Sequence, residues 1–176
     1  MNRFRENDKK EEKSSGSTDW IKKDLSSSHK NNQDSEKYIW FSIDLSEVIY
    51  YKINDIIKIT KDNYHKYENE IQEGIDSFTE KIKWGNMWTI VDAKVRLEEG
   101  QTLYLYRPEN RTIGFVWFKG NLLYNAFMHS SRKKGISQNF FSNTIIMNNY
   151  KETKLYVDEW NTKALKLWKK IGFKIE

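Results

Sequence analysis

Residues 155–173, LYVDEWNTKALKLWKKIGF, decide the fold of this 176-residue chain. They read as the end of a strand at 154–157, a helix at 161–170 and a last strand that begins at Phe173. Apolar residues recur in the helical part with the spacing of one buried stripe. The stripe consists of Ala164, Leu167, Trp168 and Ile171, and it leaves Lys163, Lys166, Lys169 and Lys170 to solvent.

Before this stretch, residues 129–137 (HSSRKKGIS) end one strand and begin a helix at a glycine. The first N–H groups of a helix have no internal acceptor and lie at the positive end of its dipole, so they can bind an anion. Gly135 lets the main chain approach a ligand closely, because it has no Cβ. Arg132, Lys133 and Lys134 add positive charge. From these residues alone, a pyrophosphate site and an ordinary strand-to-helix turn with solvated lysines both remain open.

Three further strands are predicted at residues 101–107, 112–119 and 122–129. A turn at 108–111 and a two-residue hairpin signal, Gly120-Asn121, separate them, which indicates an antiparallel meander. A helix over 135–149 follows, with Ile136, Phe140, Phe141, Thr144 and Ile145 on one face. A meander followed by helix, strand, helix and strand predicts an α+β fold, a mixed and mostly antiparallel sheet flanked by helices.

Two patterns precede the meander. Residues 38–44 alternate apolar and polar side chains, which predicts a strand. From Asp62, a plausible N-cap, the spacing changes to that of a helix. Its stripe is Tyr64, Tyr67, Ile71, Ile75, Phe78 and Ile82. A short helix is also predicted over 92–99, with Asp92 before it and Gly100 as its stop.

Residues 1–36 carry eight basic and eight acidic side chains and few apolar ones, so we predict a disordered polar tail followed by one domain at 37–176. The net charge of +5 therefore belongs to the domain and suits either an anionic ligand or plain solubility. Cysteine is absent, which excludes disulfides and thiolate chemistry. With neither a long apolar run nor a leader pattern, we expect a cytoplasmic protein.

Two of these segments resemble signatures of the GNAT superfamily of N-acetyltransferases. Arg132, Gly135 and Ser137 match its Q/R-x-x-G-x-G/A loop, with serine in the last place. Residues 161–173 match N-x-x-A-x-x-x-aromatic-x-x-x-G-F. The resemblance covers residues 101–176 well and 38–100 loosely.

The resemblance implies acetyl-CoA as acyl donor and direct attack by an amine on the thioester, with no covalent enzyme intermediate. It places the pantetheine arm along the main chain of Phe127, Met128 and His129. The pyrophosphate would be bound by Arg132, Lys133, Lys134, Gly135, Ile136 and Ser137. Asn161 and Ala164 would lie along the thiol end.

Family members often have a tyrosine seven residues after the asparagine, to protonate the leaving thiolate, and here that residue is Trp168. An indole N–H donates hydrogen bonds but is no acid near neutral pH. The thiolate then leaves unaided, or Tyr156 or Tyr124 protonates it, or acetyl transfer has been lost.

Asp158 and Glu159 follow a strand end and are candidates for the general base, although adjacent acids near a helix start are also common surface features. His129 is a further candidate base, or a residue that contributes only its main chain. His29 and His65 have no partners at metal spacing, so no metal site is predicted.

Two other functions remain open. One is a catalytically silent GNAT-fold module that binds CoA or a partner as a regulator, which the tryptophan at 168 favours. The other is nucleic-acid binding or modification through the basic face of the last helix, although no helix-turn-helix, zinc-finger or RNP-like pattern is present. The acceptor is not specified by the sequence.

Overall fold

A computed structural model describes residues 37–81, 89–129 and 134–176, which build a seven-stranded sheet with helices on both faces. Its strands are β1 Tyr38–Asp44, β2 Ile56–Ile59, β3 Thr102–Tyr106, β4 Gly114–Lys119, β5 Leu122–Met128, β6 Glu152–Asp158 and β7 Lys174–Ile175. Its helices are α1 Glu68–Lys81, α2 Ile90–Glu98, α3 Ile136–Asn148 and α4 Thr162–Ile171.

The strands follow the order β2-β3-β4-β5-β6-β1-β7 across the sheet. All neighbours are antiparallel except β5 and β6, which are parallel and are connected through α3. The predicted meander is present as β3, β4 and β5, with the β4–β5 turn at Gly120 (φ +60°). The structure thus confirms the α+β class and the mixed, mostly antiparallel sheet.

Strand β1 lies between β6 and β7, far from its chain neighbour β2. Phe41 is opposite Leu155 of β6 on one side and opposite Ile175 of β7 on the other. The first and last described strands therefore complete the same edge of the sheet. The alternating pattern of β1 predicted a strand, and the structure confirms it, but the pattern carried no information about its neighbours.

Each face of the sheet has its own apolar core. Helices α3 and α4 cover one face, and the first core contains Phe41, Tyr104, Val116, Phe118, Phe140, Leu155, Trp168 and Ile171. Helices α1 and α2 cover part of the other face, and the second core contains Ile59, Ile71, Phe78, Leu97, Leu103, Leu105, Phe115 and Trp117. Burying each large apolar side chain contributes on the order of 1.5–3 kcal/mol, so both helix pairs are held by the sheet.

Helix α1 begins later than the sequence indicated. Asp62 is not its N-cap, because residues Tyr64–Lys66 form a separate 3-10 turn and the α-helix starts at Glu68. The side chain of Asn63 accepts a hydrogen bond from the Thr60 N–H at 2.8 Å, which favours a tight turn here over a helix start. The middle of the predicted stripe, Ile71 to Phe78, is buried as expected, and Ile82 lies outside the described residues.

Helix α2 also has a different N-cap from the predicted one. Thr89 caps it through a capping box with Asp92, which is the third helical residue and not the residue before the helix. Gly100, with φ +85°, follows the helix end as predicted. The sequence reading missed β2, because four residues are too few to establish a period.

Candidate functional site

Strands β5 and β6 separate from each other after a single paired position. Leu122 is opposite Lys154, whose N–H donates to the Asn121 carbonyl at 3.0 Å. Beyond this point β5 continues with β4, through a register shift at Trp117/Phe118, while β6 pairs with β1 along its whole length. Among the described residues, the edge of β5 that faces β6 is therefore open over its second half.

At the end of β5, the main-chain N–H and C=O groups point alternately to β4 and to the open edge. The N–H of His129 donates to the Ile113 carbonyl at 2.7 Å, on the β4 side. Main-chain groups of successive residues in a strand point to opposite sides, so Phe127 also bonds to β4, while Ala126 and Met128 present their N–H and C=O groups to the open edge.

Side chains fix the end of β5 in place. Phe127 packs edge-on against Phe78, with ring centroids 5.1 Å apart. Met128 lies over Gly114, where an added Cβ would come within 2.9 Å of the Met128 sulfur. His129 is buried, and its main-chain N–H bonds to the Ile113 carbonyl.

Helix α3 begins at Ile136, directly after Gly135. Gly135 is the N-cap and has φ +85°, a backbone conformation that residues with a Cβ rarely adopt. The N–H groups of Ile136, Ser137 and Gln138 have no acceptor within the helix. The Ser137 hydroxyl is buried and has no hydrogen-bond partner in the part of the chain that the structure describes. Lys134 is exposed, and Arg132 and Lys133 lie outside the described residues.

The start of α4 shows why the N-x-x-A part of the signature is present. Asn161 caps the helix, and its Oδ1 accepts from the Ala164 N–H at 3.2 Å. Ala164 packs at the edge of the first core. Trp168, at the position where the family often has tyrosine, is 5% exposed and belongs to that core.

The candidate bases lie at the end of β6. Asp158 is half-buried and directly opposite Tyr38 of β1, whereas Glu159 is exposed and its N–H donates to the Lys37 carbonyl at 2.9 Å. Tyr156, on the same face of β6 as Asp158, contacts the rings of Tyr38 and Trp40. These three candidates therefore lie within four residues at the end of β6, the strand next to the open edge of β5.

Sequence reasoning missed the partners of Tyr124. Arg96, a buried residue of α2, donates to the Tyr124 hydroxyl at 2.8 Å, and that hydroxyl donates to Oε1 of Gln101. The guanidinium also lies 6.0 Å from the centre of the Trp117 ring. The helical spacing of Ala93, Arg96 and Leu97 places the arginine on the buried face of α2. This spacing was the sequence signal that the arginine is buried.

The described part of the chain contains no helix long and apolar enough to cross a membrane. Within the same residues, no three His, Cys, Asp or Glu side chains converge as metal ligands would.

No model of a known protein family matches the chain, and no curated protein matches it by sequence. Solved structures match it by fold. A conserved protein of unknown function from Staphylococcus epidermidis aligns with 79% of the chain and 57% of its own, at a TM-score of 0.55 and 14% identity. A putative GNAT-family acetyltransferase from Novosphingobium aromaticivorans aligns with 79% of the chain and 60% of its own, at a TM-score of 0.50 and 13% identity.

A tandem GNAT protein from the clavulanic acid biosynthesis pathway aligns with 81% of this chain and 51% of its own, at a TM-score of 0.51 and 9% identity. The chain thus spans 51–60% of the length of these three structures. At such identities the likeness concerns the fold, and that fold is the one of the GNAT superfamily, as the sequence signatures predicted.

Proposed function

We propose that this chain is an N-acyltransferase that moves an acetyl group from acetyl-CoA to an amine. The observation that carries the proposal is the open edge of β5, followed directly along the chain by the glycine-initiated start of α3. An open strand edge offers paired donors and acceptors to an amide-bearing arm, and a helix start offers N–H groups to phosphate.

The donor would be bound mainly by main-chain groups. Met128 presents its N–H and C=O to the open edge and is the residue best placed for the pantetheine amides, while Phe127 and His129 support it through their bonds to β4. The N–H groups of residues 136–138 would bind the pyrophosphate, assisted by Lys134 and by Arg132 and Lys133 of the preceding loop. The partnerless hydroxyl of Ser137 fits this role, because a buried polar group without a hydrogen bond is costly until a ligand satisfies it.

In the reaction, the amine nitrogen forms a bond to the thioester carbonyl carbon, the C–S bond breaks, and CoA leaves as the thiolate. A main-chain N–H at the open edge, with Ala126 the candidate, would polarise the carbonyl oxygen as negative charge develops there. Asp158 would accept the proton that the ammonium form of the acceptor must lose, directly or through water. Glu159, which is more exposed than Asp158, is the second candidate for the general base.

Trp168 stands at the sequence position where the family often has its acid. Trp168 is a core residue, and the hydroxyl of Tyr124 is bonded to Arg96 and Gln101. Tyr156 remains as a candidate on the open face, and otherwise the thiolate leaves unaided. Asn161 and Ala164, which form the start of α4, would lie along the thiol end of the donor.

The first test is binding of the donor. Acetyl-CoA should raise the melting temperature of the full chain, because a ligand that binds only the folded state stabilises it. The chain is then incubated with acetyl-CoA and a panel of amines, and a thiol reagent detects the CoA that is released. Release of CoA identifies an enzyme, and its absence identifies a silent CoA-binding module. A melting temperature that no acyl-CoA changes would overturn both of these functions.

A further inference from the structure

Thr112, in the connection between β3 and β4, is fully buried and is bonded to helix α1 through each of its polar groups. Its N–H donates to the Glu73 carboxylate at 3.1 Å, and its hydroxyl donates to the Glu70 carbonyl at 3.2 Å. Its carbonyl accepts from the hydroxyl of Ser77, also at 3.2 Å. These three partners span two turns of α1, so Thr112 is fastened to the helix over that length.

Two further contacts tighten the attachment of Thr112 to the helix. The guanidinium of Arg107 donates to the Thr112 hydroxyl at 2.5 Å and also to the Glu73 carboxylate. At Gly74 of α1, an added Cβ would lie 3.2 Å from Cγ2 of Thr112, so the helix main chain lies directly against this side chain. A shift of Thr112 therefore requires either a shift of α1 or the loss of several buried hydrogen bonds.

The next residue, Ile113, connects Thr112 to the end of β5. Its N–H donates to the Tyr106 carbonyl of β3 at 3.0 Å, and its carbonyl accepts from the His129 N–H at 2.7 Å. His129 directly follows β5 and precedes the segment that leads to Gly135, the N-cap of α3. A continuous series of bonds thus runs from α1 through Thr112 and Ile113 to the residue at which this segment begins.

Helix α1 holds the end of β5 a second time, through a side chain. The ring of Phe78 lies 5.1 Å from that of Phe127 and 5.5 Å from that of Phe115, edge-on in both cases. Phe127 is two residues before His129. The position of the β5 end is therefore set from the face of the sheet opposite to α3.

We propose that Thr112 is a positioning residue for the acyl donor, because it fixes the main chain of His129 through Ile113. This inference rests on the proposed function, which puts the pantetheine arm along Met128 and the pyrophosphate at residues 136–138. A site built from main-chain groups cannot adapt by changing side-chain rotamers, and a displacement of about 1 Å is enough to weaken its hydrogen bonds. Thr112 acts through this placement and does not itself contact the donor.

The test measures CoA binding by titration calorimetry on the full chain, well below the melting temperature, so that every variant is folded. CoA is the probe because it carries no acetyl group to transfer. Thr112→Val keeps the shape of the side chain but loses the hydroxyl bonds, and it should weaken CoA binding about fivefold to tenfold. Thr112→Ser keeps the hydroxyl and should bind CoA within about twofold of the parent chain.

Ile71→Val is the matched control for a general loosening of α1. It removes one methyl group from a buried residue of the same helix, so it should lower the melting temperature and leave the CoA affinity of the folded chain unchanged. Hydrogen exchange of the His129 amide in the ligand-free chain is the second readout. It should be about threefold faster in Thr112→Val than in Ile71→Val, because only the former loosens the support of Ile113.

The proposal is overturned by unchanged CoA affinity in Thr112→Val, by an equal loss in Ile71→Val, or by failure of Thr112→Ser to restore binding. Any of these results with CoA bound to the parent chain would leave the acyltransferase intact. If CoA does not bind the parent chain, the acyltransferase and the donor role of Thr112 are both rejected. The exchange rate of the His129 amide alone then decides whether Thr112 holds this residue in place.

Discussion

The indole of Trp168 lies 5.2 Å from the ring of Phe141, at an interplanar angle of 32°. This contact joins α4 to α3 inside the first core, and Phe173 also packs against the indole, with ring centroids 5.5 Å apart. Trp168, which stands where the family often has tyrosine, therefore serves the packing of the core in this chain. Whatever proton transfer the chain performs must use another group.

Replacing Trp168 should affect stability far more than chemistry. Trp168→Ala should lower the free energy of unfolding by about 3–5 kcal/mol, because it leaves a large cavity between two helices. Trp168→Phe, which keeps a ring, should cost less than half of that. Urea denaturation followed by circular dichroism measures both values. Trp168→Tyr should not accelerate acetyl transfer per folded molecule, and a faster rate would return the residue to the reaction.

Two glycines with positive φ should respond differently to alanine. At Gly172 (φ +117°) a Cβ would lie 3.2 Å from Cδ1 of Ile43, whereas at Gly100 (φ +85°) it would meet nothing within 4 Å. Gly100→Ala should therefore cost only the backbone strain, about 1 kcal/mol, and Gly172→Ala about 2–3 kcal/mol. Thermal unfolding of the two variants side by side gives the comparison, and equal losses would contradict the crowding at Ile43.

Ser137→Ala should separate folding from donor binding. The hydroxyl has no hydrogen-bond partner among the described residues, so its removal should leave the melting temperature of the ligand-free chain unchanged or slightly higher. The rise in melting temperature produced by acetyl-CoA should become smaller, because a phosphate oxygen would lose one donor. A lower stability of the free variant together with an undiminished acetyl-CoA effect would show that Ser137 has no contact with the donor.

Glu73 should make stability depend on pH in the acid range. Burial tends to raise the pKa of this carboxyl, but the Thr112 N–H at 3.1 Å and the Arg107 guanidinium outweigh burial and lower the pKa below its usual value. A lowered folded-state pKa gives stability that is present above the unfolded pKa of about 4.3 and is lost as pH falls through the folded value.

Glu73→Gln should therefore be less stable than the parent chain by about 0.5–1 kcal/mol at pH 7, and the difference should shrink as pH falls below the unfolded pKa of about 4.3. Chemical denaturation at several pH values provides the curve. Glu80→Gln, an exposed position on the same helix, is the matched control. A difference that stays constant down to pH 3 would mean that the carboxylate charge is not what stabilises the contact with Arg107.

Elements with strong local signals were predictable from the sequence. Strands β3 to β5, helix α3 and helix α4 have apolar periods bounded by glycine, proline or an asparagine cap, and all five were predicted and are present. Boundaries set by side chains that bond to nearby main chain were not predictable, as the Asn63 turn and the Thr89 cap show. Of the candidate site, the strand-to-helix junction at Gly135 was visible, while the bond of Arg96 to Tyr124 was not.

The sequence by itself determined the succession of elements, the α+β class and the glycine that begins α3, because each depends on residues within a few positions of one another. The tertiary structure alone decided that β1 pairs with β6 and β7 and that Trp40 comes to lie against Tyr156. These partners are more than a hundred residues apart. Their pairing depends on which edges of the sheet remain unpaired after the meander and β6 are in place, and no local pattern encodes that.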